Sequence, residues 1–277
     1  MILNDYYWFF QSALTDDQCD AIIERGQQEI DWVRDNVNEK ATIAQTGGRA
    51  SVYNLGDQEP RTIPAVSTKE EMRAQGIDVA DTFTRDSTVS FFQEPWVYEL
   101  LHPYLQTANE HSGWNFEISH SEQTQFTQYN AVGEGGQGQF YGWHVDGQWA
   151  PYKLYDPDNP QHQIDALLRD ENNKPIQSEA GGDLFVDNTW TTQPEWVGKV
   201  RKLSMTVQLT KENEYEGGLF QIDRGPHYEN VRYYTVSEIA TRGSIIVFPS
   251  FVHHQVTPVT RGTRESLVMW SLGTRWT

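Results

Sequence analysis

An imidazole and a carboxylate stand two positions apart in Tyr141-Gly142-Trp143-His144-Val145-Asp146-Gly147. On an extended backbone alternate side chains leave the same face, so His144 and Asp146 point into one space. Together they supply two of the three protein ligands of a facial set that leaves further positions on a divalent metal open. A His-x-Asp tripeptide arises often by chance, so a third donor is needed to give it meaning. His253 and His254 are the candidates, in the stretch Phe248-Pro249-Ser250-Phe251-Val252-His253-His254-Gln255-Val256-Thr257-Pro258-Val259-Thr260-Arg261-Gly262-Thr263-Arg264. Taken singly, either histidine reads as a satisfied strand residue.

Taken together, the two segments say more. His-x-Asp followed far downstream by His-x-Val-x-Pro-Val-x-x-Gly-x-Arg resembles the prolyl 4-hydroxylase-like branch of the Fe(II)/2-oxoglutarate dioxygenases, over roughly Thr124 to Leu272. Between the ends, Leu203 to Leu209 is similar to that family's core strand, and Tyr215-Glu216-Gly217-Gly218-Leu219 to its Gly-Gly turn. The resemblance implies Fe(II) held by His144, Asp146 and His254, because His254 is the histidine followed at the family's spacing by Val256, Pro258 and Arg264. It implies 2-oxoglutarate as co-substrate, with Arg264 on the distal carboxylate, a task that suits a planar fork of donors. Ser266 shares the Arg264 face of a strand and can add a hydroxyl; Arg261, beside Gly262, reads as a solvent-facing charge.

Tyr129 and Tyr141 match the family's paired tyrosines flanking a glycine-rich turn, as phenols offered to the co-substrate or as core aromatics. Trp143 and Trp270 are candidates for the substrate groove, with core packing the plainer reading. The implied reaction is hydroxylation of an unactivated C–H bond, with succinate and carbon dioxide as co-products and ascorbate as reductant. Halogenating relatives replace the carboxylate ligand with a small residue, so Asp146 points to hydroxylation. A prolyl residue of a peptide or protein is the expected substrate, with a free amino acid or other small molecule as the alternative. Two other functions compete: a cupin-like metal-binding barrel, which has no use for Arg264, and a silent relative that only binds peptides.

The elements that must position these residues divide the chain. Thr15-Asp16-Asp17-Gln18 has the form of a capping box, and Cys19, Ile22, Ile23 and Ile30 keep one helical face. A second helix starts at Pro95, carries Trp96, Leu100, Leu101, Tyr104 and Leu105 on one stripe, and ends at Gly113. Residues 38–90 read as loops with at most a short strand. From Trp114 the period becomes two, at Asn115–Ser121, Gln123–Tyr129, Leu203–Thr210, Leu219–Asp223, Ser244–Phe248 and Arg264–Leu272. Short strands without intervening helices predict a mostly β, α+β protein: a double-stranded β-helix (jelly roll) core with the N-terminal helices packed outside. A single domain is expected over 1–277, with 1–113 as helical and irregular support, 114–277 as the catalytic core, and a long insertion at 150–182 over one end of the barrel. Gly133-Glu134-Gly135-Gly136-Gln137-Gly138 spells a dinucleotide fingerprint but lacks a βαβ setting, and reads as a hairpin loop.

Composition narrows the partners. The chain has 277 residues and a formal charge of −18, from 39 acidic against 21 basic side chains. The averaged field repels phosphate backbones and anionic lipid, which argues against nucleic-acid and membrane partners. Cys19, the single cysteine, excludes an internal disulfide framework and any multi-cysteine metal site, and suits a reducing, cytoplasmic compartment. The Tyr7–Phe10 cluster follows Asp5 and lacks the positive flank of a signal peptide.

Overall fold

A computed structural model describes residues 5–36, 42–47, 83–132, 138–147, 150–167, 174, 189–224 and 233–276. Helix α1 (Asp16–Asn36) begins at the expected box: Gln18 N–H donates to Thr15 Oγ1 at 3.2 Å, and Thr15 N–H donates to Gln18 Oε1 at 2.9 Å. Two of the donors a helix start leaves without partners are satisfied in this way. Helix α2 (Pro95–His111) buries Val97, Leu101, Leu105 and Ala108, and the chain leaves it through Gly113 at φ +72°. The stripe therefore runs one position off the expected one, with Leu100 and Tyr104 on its flank and Trp96 exposed. A short helix α3 (Pro160–Ala166) lies in the insertion, most of whose later part falls outside the described residues.

The strands are β1 (Trp8–Phe10), β2 (Ile43–Gly47), β3 (Phe83–Phe92), β4 (His120–Ser121), β5 (Thr124–Asn130), β6 (Phe140–His144), β7 (Lys153–Leu154) and β8 (Trp190–Thr191). They continue as β9 (Lys199–Gln208), β10 (Glu216–Gly217), β11 (Phe220–Asp223), β12 (Tyr233–Thr235), β13 (Ile245–Pro249), β14 (His254–Val256), β15 (Val259–Arg261) and β16 (Thr263–Thr274). Hydrogen bonding runs in the order β1-β13-β9-β16-β5-β3-β6-β14-β11-β12. Two four-stranded groups are evident, β13-β9-β16-β5 and β6-β14-β11-β12. Followed along the chain, the eight strands change group at every step except the β11–β12 hairpin. That alternation is the winding of a jelly roll, here with β3 bridging the two groups along one side.

Alternation within each strand separates two environments. Leu203, Met205 and Val207 of β9, Ile245 and Val247 of β13, and Leu267 and Met269 of β16 pack with α1 and α2 in one core. The opposite face of the same strands points between the groups, where Phe220, Ile222, Ile246, Phe248 and Val256 form a second core. Each fully buried apolar side chain contributes about 1.5–3 kcal/mol. The outer core thus fixes β9 and β16 so that their inner faces are free to carry polar groups.

Two expectations need correction. Residues 38–90 contain the ten-residue strand β3, which pairs with β2, β5 and β6. It escapes an alternation test because Arg85, Asp86, Ser87, Thr88, Val89 and Ser90 are all buried: a strand covered on both faces and filled with polar residues has no wet side. The expected strand over Asn115–Ser121 shrinks to His120–Ser121, since Asn115 takes φ +50° and cannot continue an extended run. The hairpin loop read from Gly133 onward falls on residues 133–137, which lie outside the described set; β5 and β6 on either side each pair with β3, and Gln139 N–H donates to the Asn130 carbonyl at 2.8 Å.

Helix α1 meets the sheet at Gly26, where a Cβ atom would overlap the Phe126 ring of β5, and the Gly26 carbonyl accepts the Ser90 hydroxyl at 3.0 Å. Gly26→Ala should destabilise the protein by about 1–3 kcal/mol through overpacking, although alanine is the better helix former by about 1 kcal/mol. Urea unfolding measures the balance; an unchanged or raised midpoint would refute this close packing.

Candidate metal centre

Two neighbouring strands bring the ligands together. Strand β14 pairs antiparallel with β6 so that His254 faces His144 across the ladder, and the imidazole centroids lie 4.1 Å apart. Asp146 follows just beyond β6, with Oδ1 3.5 Å from His144 Nε2 and Oδ2 3.6 Å from His254 Nε2. The three ligand atoms all lie within 4.8 Å of one another. Gly147 N–H donates to the Ser250 carbonyl at 2.6 Å, and the Arg201 guanidinium donates to the Asp146 carbonyl at 3.2 Å. The first bond ties the chain after β6 to the turn before β14, and the second ties it to β9.

Each histidine is oriented by its own backbone. His144 Nδ1 lies 2.7 Å from the Gly142 carbonyl and His254 Nδ1 lies 3.0 Å from the Val252 carbonyl. A carbonyl only accepts, so both Nδ1 atoms carry the proton and both Nε2 lone pairs face Asp146, the tautomer that a metal needs. Tyr141 stacks on His144 with centroids 3.4 Å apart, and Phe248 meets His254 edge-on at 4.6 Å. Burial, followed by the His144 imidazole, pushes the His254 pKa down from 6.5 to about 4, against the pull of Asp146. Burial also works against ionising Asp146, but the His254 and His144 imidazoles, when protonated, and Arg201 outweigh it and hold that carboxyl well below its usual range. Near pH 7 the site therefore offers a carboxylate at Asp146 and a neutral imidazole at His254, which are the protonation states that bind metal.

A cavity opens beside these atoms, and Arg264, Ser266 and Trp270 of β16 line it from one side. Arg264 is 2% exposed, and its Nη1 has no hydrogen-bond partner among the described residues. Gly218, at φ +58°, passes so close that a Cβ there would lie 2.8 Å from Arg264 Cδ. The Gly-Gly turn thus leaves the width that the long side chain needs. Tyr129 and Tyr141 line the same cavity; burial raises both phenol pKa values, most strongly opposed by Arg85, so each keeps a proton to donate.

Of the residues singled out from sequence, His144, Asp146, His254, Arg264, Ser266, Tyr129, Tyr141 and Trp270 share this cavity. Trp143 does not; it points outward, 39% exposed, with its ring 5.9 Å from Tyr233. His253 is exposed, and Arg261 is exposed and paired with Glu216 at 2.8 Å. Sequence reasoning passed over Arg85, Gln125, Thr206 and the Arg201–Glu122 pair. Thr206 was open to discovery as a polar residue on the inner face of an otherwise apolar strand, whereas nothing local marks Arg85.

Comparison with known proteins adds an independent line. Residues 124–272 match the model of the family described as the 2OG-Fe(II) oxygenase superfamily, more than half of the chain. The chain belongs to the 2OG-Fe(II) oxygenase superfamily. The matched span coincides with the stretch whose motifs carried the resemblance. A PKHD-type hydroxylase of Shewanella oneidensis is 37% identical over 94 residues, 32% of this chain and 38% of that protein. One of Delftia acidovorans is 34% identical over 96 residues, 34% of this chain and 39% of that protein. The chain thus spans less than two fifths of the length of these curated relatives, which bear out the resemblance to the prolyl hydroxylase-like branch. Among solved structures, the viral collagen prolyl hydroxylase of Paramecium bursaria Chlorella virus-1 superposes with a TM-score of 0.49 at 12% identity over 98% of both chains.

As a member of the 2OG-Fe(II) oxygenase superfamily, the chain is expected to hold Fe(II) and 2-oxoglutarate, and its residues fit both. Two Nε2 atoms and a carboxylate make a borderline donor set that suits Fe(II) and leaves positions free. The idle donor on the buried Arg264 guanidinium suits a carboxylate that would otherwise have no reason to enter the barrel.

Two outcomes check this centre. His254→Ala should weaken Fe(II) or Mn(II) binding, followed by calorimetry, by at least about 10-fold, while His253→Ala leaves it nearly unchanged; the reverse result would move the ligand. The depressed His254 pKa means that the unfolded chain takes up a proton there before the folded one. The resulting stability is present above pH 6.5 and lost as pH falls toward 4. Thermal melts of metal-free protein should show this decline, and His254→Gln should flatten it.

Proposed function

We propose that this chain is an Fe(II)- and 2-oxoglutarate-dependent dioxygenase that hydroxylates an unactivated C–H bond of a prolyl residue in a peptide or protein. The observation that carries the oxygenase reading is the buried Arg264, whose unpartnered Nη1 lies in one cavity with His144, Asp146 and His254. A metal site that served only for structure or sugar binding would leave that cation buried without an anion, at the cost of its desolvation. The prolyl substrate is supported by the resemblance, and hydroxylation by the PKHD-type hydroxylases among the relatives.

In this reading His144 Nε2, His254 Nε2 and an Asp146 oxygen would hold the iron. With 2-oxoglutarate and dioxygen bound, the iron supplies an oxidant able to hydroxylate carbon, with succinate and carbon dioxide as co-products. Arg264 takes the distal carboxylate of 2-oxoglutarate, and Ser266 adds a hydroxyl from the same face of β16. Tyr129 and Tyr141, kept protonated by burial, donate to the oxygens of the co-substrate. Phe220, Phe248 and Val256 exclude water from the inner side of the site. Holding both ends of the co-substrate before the reaction removes orientational freedom that would otherwise add to the barrier.

The experiment is succinate release by anaerobically prepared protein given Fe(II), 2-oxoglutarate and ascorbate, then air, with and without a proline-rich peptide. Peptide-stimulated succinate together with hydroxyproline in the peptide is the expected result. Succinate without any peptide effect would retain the oxygenase and remove the prolyl substrate; no succinate would remove both. Arg264→Ala should raise the 2-oxoglutarate requirement roughly 10- to 100-fold, the worth of a charge-assisted hydrogen bond, and an unchanged requirement would overturn the anchor.

A further inference from the structure

The inner cavity shares Asp146, Tyr141, Gln125 and Trp270 with a larger one of about 380 Å³, whose other walls include Phe91 and Trp196. The charged groups around this outer space are unequally satisfied. Glu122 is engaged by Arg201 through two prongs, Nε at 2.7 Å and Nη2 at 2.6 Å, and also accepts the Tyr152 hydroxyl at 2.8 Å. Arg201 lies over the Trp270 ring at 4.1 Å. That pair is internally neutral.

Arg85 has no such counter-ion among the described residues. Its Nε donates to Ser87 Oγ at 2.8 Å and its guanidinium lies 4.6 Å from the centre of the Tyr141 ring, but its Nη2 is buried without a hydrogen-bond partner. The residue is 9% exposed. Trp270 Nε1, on the wall of the same cavity, is a second buried donor without an acceptor. A buried cation with an idle donor is costly until an anion reaches it, and the volume beside it, walled by aromatic rings, has room for an apolar body. The inner arginine already has its carboxylate, that of the co-substrate. The outer one calls for another.

We infer that Arg85 is a specificity-determining residue that selects substrates carrying a carboxylate near the carbon to be hydroxylated, with the apolar part of the substrate against Phe91, Trp196 and Trp270. This inference rests on the oxygenase reading above. The Tyr141 ring connects the two functions, since it stacks on the ligand His144 at 3.4 Å and carries Arg85 over it. A substrate carboxylate on Arg85 is thereby held one ring away from the metal centre. Such a carboxylate has two sources: the free carboxyl of an amino acid or chain end, or an acidic side chain beside the target residue in a peptide.

Calorimetry under anaerobic conditions, on protein loaded with Fe(II) and 2-oxoglutarate, separates them. One pair of probes is N-acetyl-L-proline and its amide; the other is capped Gly-Pro-Asp and capped Gly-Pro-Asn. In at least one pair the acid should bind about 10-fold tighter than its neutral twin, as expected for a charge-assisted hydrogen bond, and the responding pair names the source. Arg85→Gln should bring that ratio within about twofold of unity and Arg85→Lys should keep part of it, while thermal melts verify that both variants fold. No acid preference in either pair, or a preference that survives Arg85→Gln, overturns the assignment. Binding of 2-oxoglutarate to the wild type, measured first in the same cell, tells the two failures apart: without it the oxygenase reading falls and this one with it, and with it only the role of Arg85 falls.

Discussion

The pairing of β14 with β6, with His254 set opposite His144, is the contact on which the rest of the site depends. A slip of one residue would turn His254 out of the barrel and present its exposed neighbour instead. Several features hold the register. The Gly147 bond to Ser250 clamps one end of the strand pair. Gln255 and Val256 pair with β11 on the other side, so β14 is gripped from both edges. Behind it, Phe248 and Phe220 pack against the His254 ring. A metal ion asks for ligand atoms fixed to a few tenths of an ångström, and a strand held on two edges and one face supplies that rigidity where a loop would not.

Charge is arranged on a scale that the net value hides. A chain with a formal charge of −18 sequesters Arg264, Arg201 and Arg85 in its interior, where the surface field is remote. Arg201 has Glu122 and is held charged by it despite burial. Arg264 and Arg85 each keep one idle donor, at the inner and outer reaches of adjoining cavities. The averaged charge describes the surface, whereas the two cavities are lined by Arg264, Arg201 and Arg85. Surface potential and site potential are thus separate questions in this fold, because the low-dielectric barrel wall confines the field of a buried charge to the space it faces.

Division of labour between the two faces of β9 and β16 explains how one sheet can serve stability and chemistry together. Their odd-numbered residues, Leu203, Met205, Val207, Leu267 and Met269, are committed to the helices α1 and α2. Their even-numbered residues, Thr206, Arg264, Ser266 and Trp270, are left to the cavity. The helices contribute no residue to the lining, yet they anchor the strands that do. Close approach of Gly26 to Phe126 and of Gly218 to Arg264 marks the two places where the missing side chain of glycine sets the spacing.

What the sequence determined by itself is whatever depends on short spacings: the capping box at Thr15, the start of α2 at Pro95, the inward face of β16 with Arg264 and Ser266, and His144 and Asp146 as near neighbours. These follow from backbone geometry that holds over a few residues in any protein. The motif at His254 was legible because it repeats a family's spacing. Tertiary structure alone decided the rest. It turned Trp143 outward although it adjoins His144, set β3 between β5 and β6, and brought Arg85 to a site whose other walls include residues of β5, β6, β9 and β16. The physical reason is that sheet order and register are set by long-range pairing. A strand buried on both faces with polar residues, as β3 is, has neither the alternation that reveals a strand nor any local sign of the neighbours it will meet.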